Sequence, residues 1–164
     1  MISISAIWRF FTWLPSFILR KIFTKSRLAD LILVDIRPRH ENVTVNLGEL
    51  ASFQIWLQMI NLSPFEIELD RAELEFQCGG AYQKSPRLKK MTIKSGEVVD
   101  NLYFTESIIE SHANQIAKQL DSHQSSIEMN LEFNCKLHNF SKSTGRLSGI
   151  NTRFVNEQTR LNKS

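Results

Sequence analysis

The side chains of this sequence that could ligate, attack or exchange protons are four histidines, two cysteines and an alternating row of glutamates. His40, His112, His123 and His138 are widely separated. A metal site at His112 and His123 would need two further ligands from Glu106, Glu110 and Asp121, which read as ordinary surface residues of a helix. No metal is expected. Cys78 and Cys135 belong to no C-x-x-C pair, so neither a redox motif nor a zinc ribbon is supported. They could form one bridge in an oxidising compartment or stand as two apolar thiols in a reducing one. A Cys–His nucleophile needs an exposed thiol beside an imidazole. Cys135 falls on the inward face of its strand, where a thiol is inert. Glu66, Glu68, Glu73 and Glu75 alternate with apolar residues, the pattern of a wet strand face rather than of a paired acid and base. Walker-type, G-x-G-x-x-G, H-E-x-x-H and G-x-S-x-G motifs are all missing. No catalytic residues and no cofactor are expected, and the chain is not read as an enzyme.

The most plausible binding feature of the body is the basic run Lys84, Arg87, Lys89, Lys90 and Lys94. It suits a solvated hairpin loop or a contact with anionic headgroups, to which each basic residue adds ~1 kcal/mol. Nucleic acid is not expected, because only Tyr82 supplies a nearby aromatic ring. The charge balance agrees: residues 1–28 carry Arg9, Arg20, Lys21, Lys25 and Arg27 with no acid, while the remainder is slightly acidic. The sequons at Asn42, Asn61 and Asn139 would stay unmodified on a cytoplasmic body.

Residues 1–23, MISISAIWRFFTWLPSFILRKIF, are mostly apolar, and their polar members are ordered. Ser5, Arg9, Thr12, Ser16 and Arg20 fall within an arc of roughly 80° at ~100° per residue, and Pro15 would kink the helix near Leu14. An aromatic cylinder with one narrow polar stripe suits a helix lying in a membrane interface. Its membrane-binding residues would be Trp8, Arg9, Phe10, Phe11, Trp13, Phe17, Arg20 and Lys21. A spanning helix needs ~20 apolar residues and would have to tolerate Arg9; the basic residues after it would then mark the following side as cytoplasmic. A secretory signal is disfavoured, since the charges follow the apolar run and no small-residue cleavage site succeeds it. The choice between lying on the membrane and crossing it stays open, and both place the body on the cytoplasmic side.

Positioning these residues falls to a body of short strands. Residues 28–38 form an aliphatic run closed by Pro38. Alternation follows at 43–47, at 51–62, and at 65–78 on both sides of a bend at Asp70-Arg71, which Gly79-Gly80 ends. Strands are also expected at 96–104, 127–137 and 146–155. Residues 105–120 break the pattern with Ile109, Ala113, Ile116, Ala117 and Leu120 at helical spacing and a possible capping box from Ser107 to Glu110. The expected architecture is mainly β: an antiparallel immunoglobulin-like β-sandwich with one inserted helix at 105–120 and an N-terminal hydrophobic amphipathic helix. The expected organisation is a membrane-associated helix at 1–27, a sandwich domain at 28–155 and a flexible tail at 156–164.

The stretch 43–155 resembles the late-embryogenesis-abundant β-sandwich family, the water-stress/hypersensitive-response domain. The resemblance rests on the apolar strand Phe53 to Met59, the turn Asn61-Leu62-Ser63-Pro64-Phe65, the strand start Ile67 to Ala72 and the strand end Cys78-Gly79-Gly80. It implies a small sandwich behind a membrane anchor, with stress-related or lipid-proximal roles and no catalytic residues. In this sequence Leu62 and Ser63 separate the Asn and Pro that the family places together. The functional expectation is a non-enzymatic, membrane-attached interaction or lipid-proximal module, with membrane lipid as partner and a protein as a further candidate partner. The alternatives are an apolar-ligand carrier or enzyme whose first helix is a lid, and a subunit of a larger membrane complex.

Overall fold

The computed structural model describes residues 13–36, 43–87, 90–120 and 124–161. Trp8, Arg9, Phe10 and Phe11 lie outside the described residues, as do Lys89 and the side chain of Arg87. The chain is mainly β with few helices. The elements are α1 (Ser16–Ile22), α2 (Lys25–Asp30), β1 (Ile32–Ile36), β2 (Val43–Asn46), β3 (Ser52–Asn61), β4 (Ile67–Cys78) and β5 (Ala81–Arg87). They continue with β6 (Met91–Ile93), β7 (Val98–Ser107), α3 (Glu110–Ala117), β8 (Gln124–Cys135), β9 (Asn139–Ser143), β10 (Leu147–Val155) and α4 (Gln158–Leu161).

Two long strands organise the ladders. β3 carries β7 on one edge and, end to end along the other, β1 and β2. β4 carries β8 on one edge and β5 and β6 end to end along the other. Alternation decides which faces meet: Phe53, Ile55, Leu57 and Met59 of β3 are buried, as are Leu74, Phe76 and Cys78 of β4. The Phe53 and Phe76 rings stack at 4.7 Å between centroids, joining the two ladders through their apolar faces.

β10 corrects the expectation of a wholly antiparallel arrangement. Its first half runs antiparallel to β8, with Leu147 opposite Ile127, and its second half runs parallel to β2, with Thr152 to Val155 opposite Val43 to Asn46. A register shift between Leu147 and Ile150 lets the strand leave one ladder for the other. At the crossing, the buried Ser125 and Thr152 hydroxyls share a 2.7 Å hydrogen bond. The result is a continuous mixed sheet.

Several boundaries move for local reasons. Residues 65–78 do not split into two strands, because β4 runs through the expected bend. A bulge between Leu69 and Arg71 relative to β8 lets both Leu69 and Ala72 face the core. Gly79 and Gly80, with φ of 53° and 72°, form the two-residue turn that pairs Cys78 with Ala81. Positive φ at both positions is what such a hairpin turn requires, and glycine meets it without strain. β5 and β6 occupy the stretch expected as a basic loop. The inserted helix is shorter than expected: residues 105–107 extend β7, and α3 begins at Glu110 after an Ile109 N-cap with no side-chain bond, so the capping box does not form. Ala113, Ile116 and Ala117 are buried as the spacing predicts, whereas Ile109 is exposed.

Residues 158–161, expected within a frayed tail, form one helical turn whose Arg160 is buried. Its guanidinium donates to the carbonyls of Leu47 and Gly48, both at 3.1 Å, and to Asn114 Oδ1 at 2.8 Å. The chain end is thereby clamped onto the β2–β3 loop and α3.

Candidate functional site

Pro15 stands as the N-cap of α1, so the kink expected near Leu14 appears as a helix start. α1 does not stand clear of the body. Leu19 and Phe23 are buried in the common core, Leu14 and Ile22 pack against it, and the Phe23 ring meets Phe65 edge-on at 5.1 Å. α2 follows after Thr24, whose side chain accepts from the Arg27 amide at 3.4 Å. Leu28, placed by the aliphatic run in a first strand, is instead a fully buried residue of α2.

The apolar surface of the segment is therefore divided. Positions 19, 22 and 23 serve the body, a use the sequence pattern does not distinguish from burial in lipid. The opposite side carries Trp13 in the turn ahead of α1 and Phe17 within it, 73% and 66% exposed, and with them the exposed Arg20 and Lys21. No helix among the described residues is long and apolar enough to cross a membrane.

Four turns converge where Phe23 meets Phe65, and Asn61 ties two of them, 61–65 and 93–97, together. Fully buried at the end of β3, Asn61 donates through Nδ2 to the carbonyls of Phe65 (2.8 Å), Lys94 (3.1 Å) and Ile93 (3.2 Å). Its Oδ1 accepts from the Ser63 amide at 3.0 Å and the Ser63 hydroxyl at 2.6 Å. Every polar atom of the amide is spent on backbone or Ser63, so this sequon is a structural knot. Ser95 Oγ donates to the Ser63 carbonyl at 2.7 Å, and the Leu62 amide to the Leu31 carbonyl at 2.8 Å. In the turn after β8, Lys136 holds its ammonium 5.0 Å from the centre of the Phe65 ring. The groove beside it, about 520 Å³ and open to solvent, is lined in part by Pro64, Glu66, Thr92, Cys135 and Lys136.

The described members of the basic run divide into paired and unpaired lysines. Strand pairing sets Lys84 of β5 directly opposite Glu75 of β4, and Nζ lies 2.6 Å from the Glu75 carboxylate and 3.5 Å from that of Glu73. Hydrogen bonding to Lys84, then to Tyr82, lowers the Glu75 pKa below the ordinary glutamate range. Lys90 lies 2.8 Å from Asp70 and 3.3 Å from Glu68. Of the basic run, separate from the glutamates in the sequence, Lys84 and Lys90 are thus paired with Glu68, Glu73, Glu75 and Asp70. Lys94, held at the Asn61 knot by its carbonyl, is exposed and has no carboxylate partner among the described residues; neither have Lys136, Arg20 and Lys21. Lys136 is missing from the sequence-based set because it sits alone in a turn, with no run of charge to mark it.

The remaining chemistry-bearing groups stay dispersed. Cys78 and Cys135 are free thiols. Cys78 is buried on β4 and burial raises its pKa to about 11, an unreactive thiol at neutral pH. Cys135 faces the core as its strand pattern predicts but is only half-buried there, because it ends β8 beside the open groove. Among the described residues no three His, Cys, Asp or Glu side chains are placed to hold a metal ion.

A search of protein-family models gives no match, and neither does a search of curated proteins. Among solved structures the fold is similar to Northeast Structural Genomics Consortium target SoR45, with a TM-score of 0.51 at 12% identity over 76% of this chain and 89% of that one. Northeast Structural Genomics target BeR40 from Bordetella pertussis gives 0.45 at 9% identity over 71% and 90%. A protein from Archaeoglobus fulgidus gives 0.37 at 8% identity over 71% and 94%. The first of these is a likeness of fold alone.

Proposed function

We propose that this chain is a non-enzymatic immunoglobulin-like β-sandwich attached peripherally to a membrane through its N-terminal segment. In this reading the body lies on the cytoplasmic face and acts as an interaction or lipid-proximal module of the late-embryogenesis-abundant type. The observation that carries the reading is the exposure of Trp13 and Phe17 beside Arg20 and Lys21, on a helix whose other side is pinned to the core by Leu19 and Phe23. Two large exposed aromatics are costly to leave in water, and with two cations beside them they match the layering of an interface, with rings in the acyl boundary and charges at the headgroups. The pinning favours a helix lying flat against both body and bilayer over one crossing the bilayer.

Flotation of the full chain with vesicles containing phosphatidylserine tests the proposal. Trp13→Ser with Phe17→Ser should weaken binding by about a hundredfold or more, since burying each ring contributes roughly 1.5–3 kcal/mol. A wild-type chain that stays in the dense fraction with every vesicle would sink the reading. An apolar-ligand carrier is the second reading, and the packing of α1 over the Phe65 end of the core favours it. Against it, the grooves of about 520, 420 and 370 Å³ all open to solvent.

A further inference from the structure

The end of the molecule tied together by Asn61 has a charge arrangement that its sequence does not announce. Phe23 at the end of α1 contacts Phe65, Phe65 lies under the ammonium of Lys136, and the carbonyls of Phe65 and Lys94 are held by the same Asn61 amide. Lys94 and Lys136 therefore belong to turns gathered around Phe65, the residue on which the end of α1 packs through Phe23. None of the four cations has a carboxylate partner among the described residues. Of the acids at this end, Glu97 uses its carboxylate to accept the Lys94 amide at 2.6 Å, and Glu66 is exposed. On the flank formed by β4, β5 and β6 the arrangement is opposite: Lys84 and Lys90 are spent on Glu73, Glu75, Glu68 and Asp70.

We infer that this end of the body is a second membrane contact, taking the headgroups of anionic phospholipids at Lys94 and Lys136 in addition to the exposed aromatics of the N-terminal segment. The inference rests on the membrane attachment proposed above and adds to it the orientation of the body and the class of lipid. Charge complementarity selects the occupant. Unpaired ammonium groups at the end of the body on which α1 packs, with exposed Trp13 and Phe17 carried by that same N-terminal segment, suit a surface that is apolar within and anionic at its rim, as a phospholipid leaflet is. Lys84 and Lys90, each between two carboxylates, have little net charge to offer.

The test is flotation of full-length chains with phosphatidylcholine vesicles with and without phosphatidylserine, at low and high salt. Wild type should bind the anionic vesicles more tightly and lose that excess at high salt. Lys94→Gln with Lys136→Gln should cut anionic binding by about fivefold per lysine, some 25-fold together, and leave binding to neutral vesicles unchanged. Lys84→Gln with Lys90→Gln should change neither. All four positions are exposed, and urea midpoints matching wild type should show that both variants fold. Wild type that binds no vesicle overturns the attachment itself, and this contact with it. Wild type that binds while K94Q/K136Q binds equally well overturns this contact alone. An equal loss in K84Q/K90Q would show that general positive charge, rather than this end of the molecule, meets the lipid.

Discussion

Replacing Asn61 by Ala tests whether one buried amide holds the α1 end of the fold together. The side chain is fully buried, and its Nδ2 serves three carbonyls with two hydrogens, so one bond is shared. With the two bonds accepted by Oδ1, about four net hydrogen bonds are lost at roughly 1 kcal/mol each. The Ser63 hydroxyl recovers part of this, since it already lies 3.0 Å from the Phe65 carbonyl. The net cost is about 3 kcal/mol, a large share of the ~5–15 kcal/mol that stabilises a domain. With a urea slope of ~2 kcal/mol/M, the unfolding midpoint should fall by about 1.5 M. Tryptophan fluorescence reports it, because Trp56 packs against Tyr103 at 4.4 Å on β3 and β7. Asn61→Asp sharpens the test by setting a carboxylate against three carbonyl oxygens, which raises its folded pKa above the ordinary ~3.9. The penalty is then absent below that ordinary value and grows as pH rises toward the raised folded pKa. Asn61→Asp should therefore approach wild type in acid and be least stable at neutral pH. A midpoint loss below about 0.5 M for Asn61→Ala, or a pH-independent Asn61→Asp, would refute the knot.

Arg160→Met should cost about 2–3 kcal/mol by stranding the Leu47 and Gly48 carbonyls, read as a lower thermal midpoint. Glu110→Gln should leave that midpoint within ~0.5 kcal/mol, because its carboxylate is 75% exposed and 3.5 Å from the guanidinium. Phe76→Ala should cost about 3–5 kcal/mol in urea unfolding, through loss of the stack with Phe53 in a filled core. In an NMR acid titration Glu75 should protonate below the ordinary glutamate range, so what its pairing contributes is present above the ordinary value and lost as pH falls through the lowered one; Lys84→Gln should move the titration back up. A maleimide at neutral pH should label Cys135 in the folded chain and reach Cys78 only after denaturant, since burial holds Cys78 as the neutral thiol.

What the sequence determined by itself was each strand's inward set. The alternation through 53–59, 67–78 and 127–133 names residues that are buried, because a strand's side chains reverse face at every step whatever it pairs with. The Gly79-Gly80 turn was legible for a similar reason, since its demand for positive φ is local. Pairing was not. Nothing near Thr152 specifies a parallel neighbour more than a hundred residues earlier, and β10's passage from β8 to β2 depends on how the whole chain closes. The candidate site divides along the same line. Trp13, Phe17, Arg20 and Lys21 were legible as an aromatic, basic surface, but a one-dimensional pattern cannot tell a helix face buried in lipid from one buried in protein. Only the packing decided that Leu19 and Phe23 belong to the core. The basic run met its limit in the same way: ion pairs form between strands, and the register of β4 against β5 neutralises Lys84. Lys136, isolated in sequence, gains its company only when the fold sets it over Phe65, whose carbonyl a buried asparagine holds together with that of Lys94.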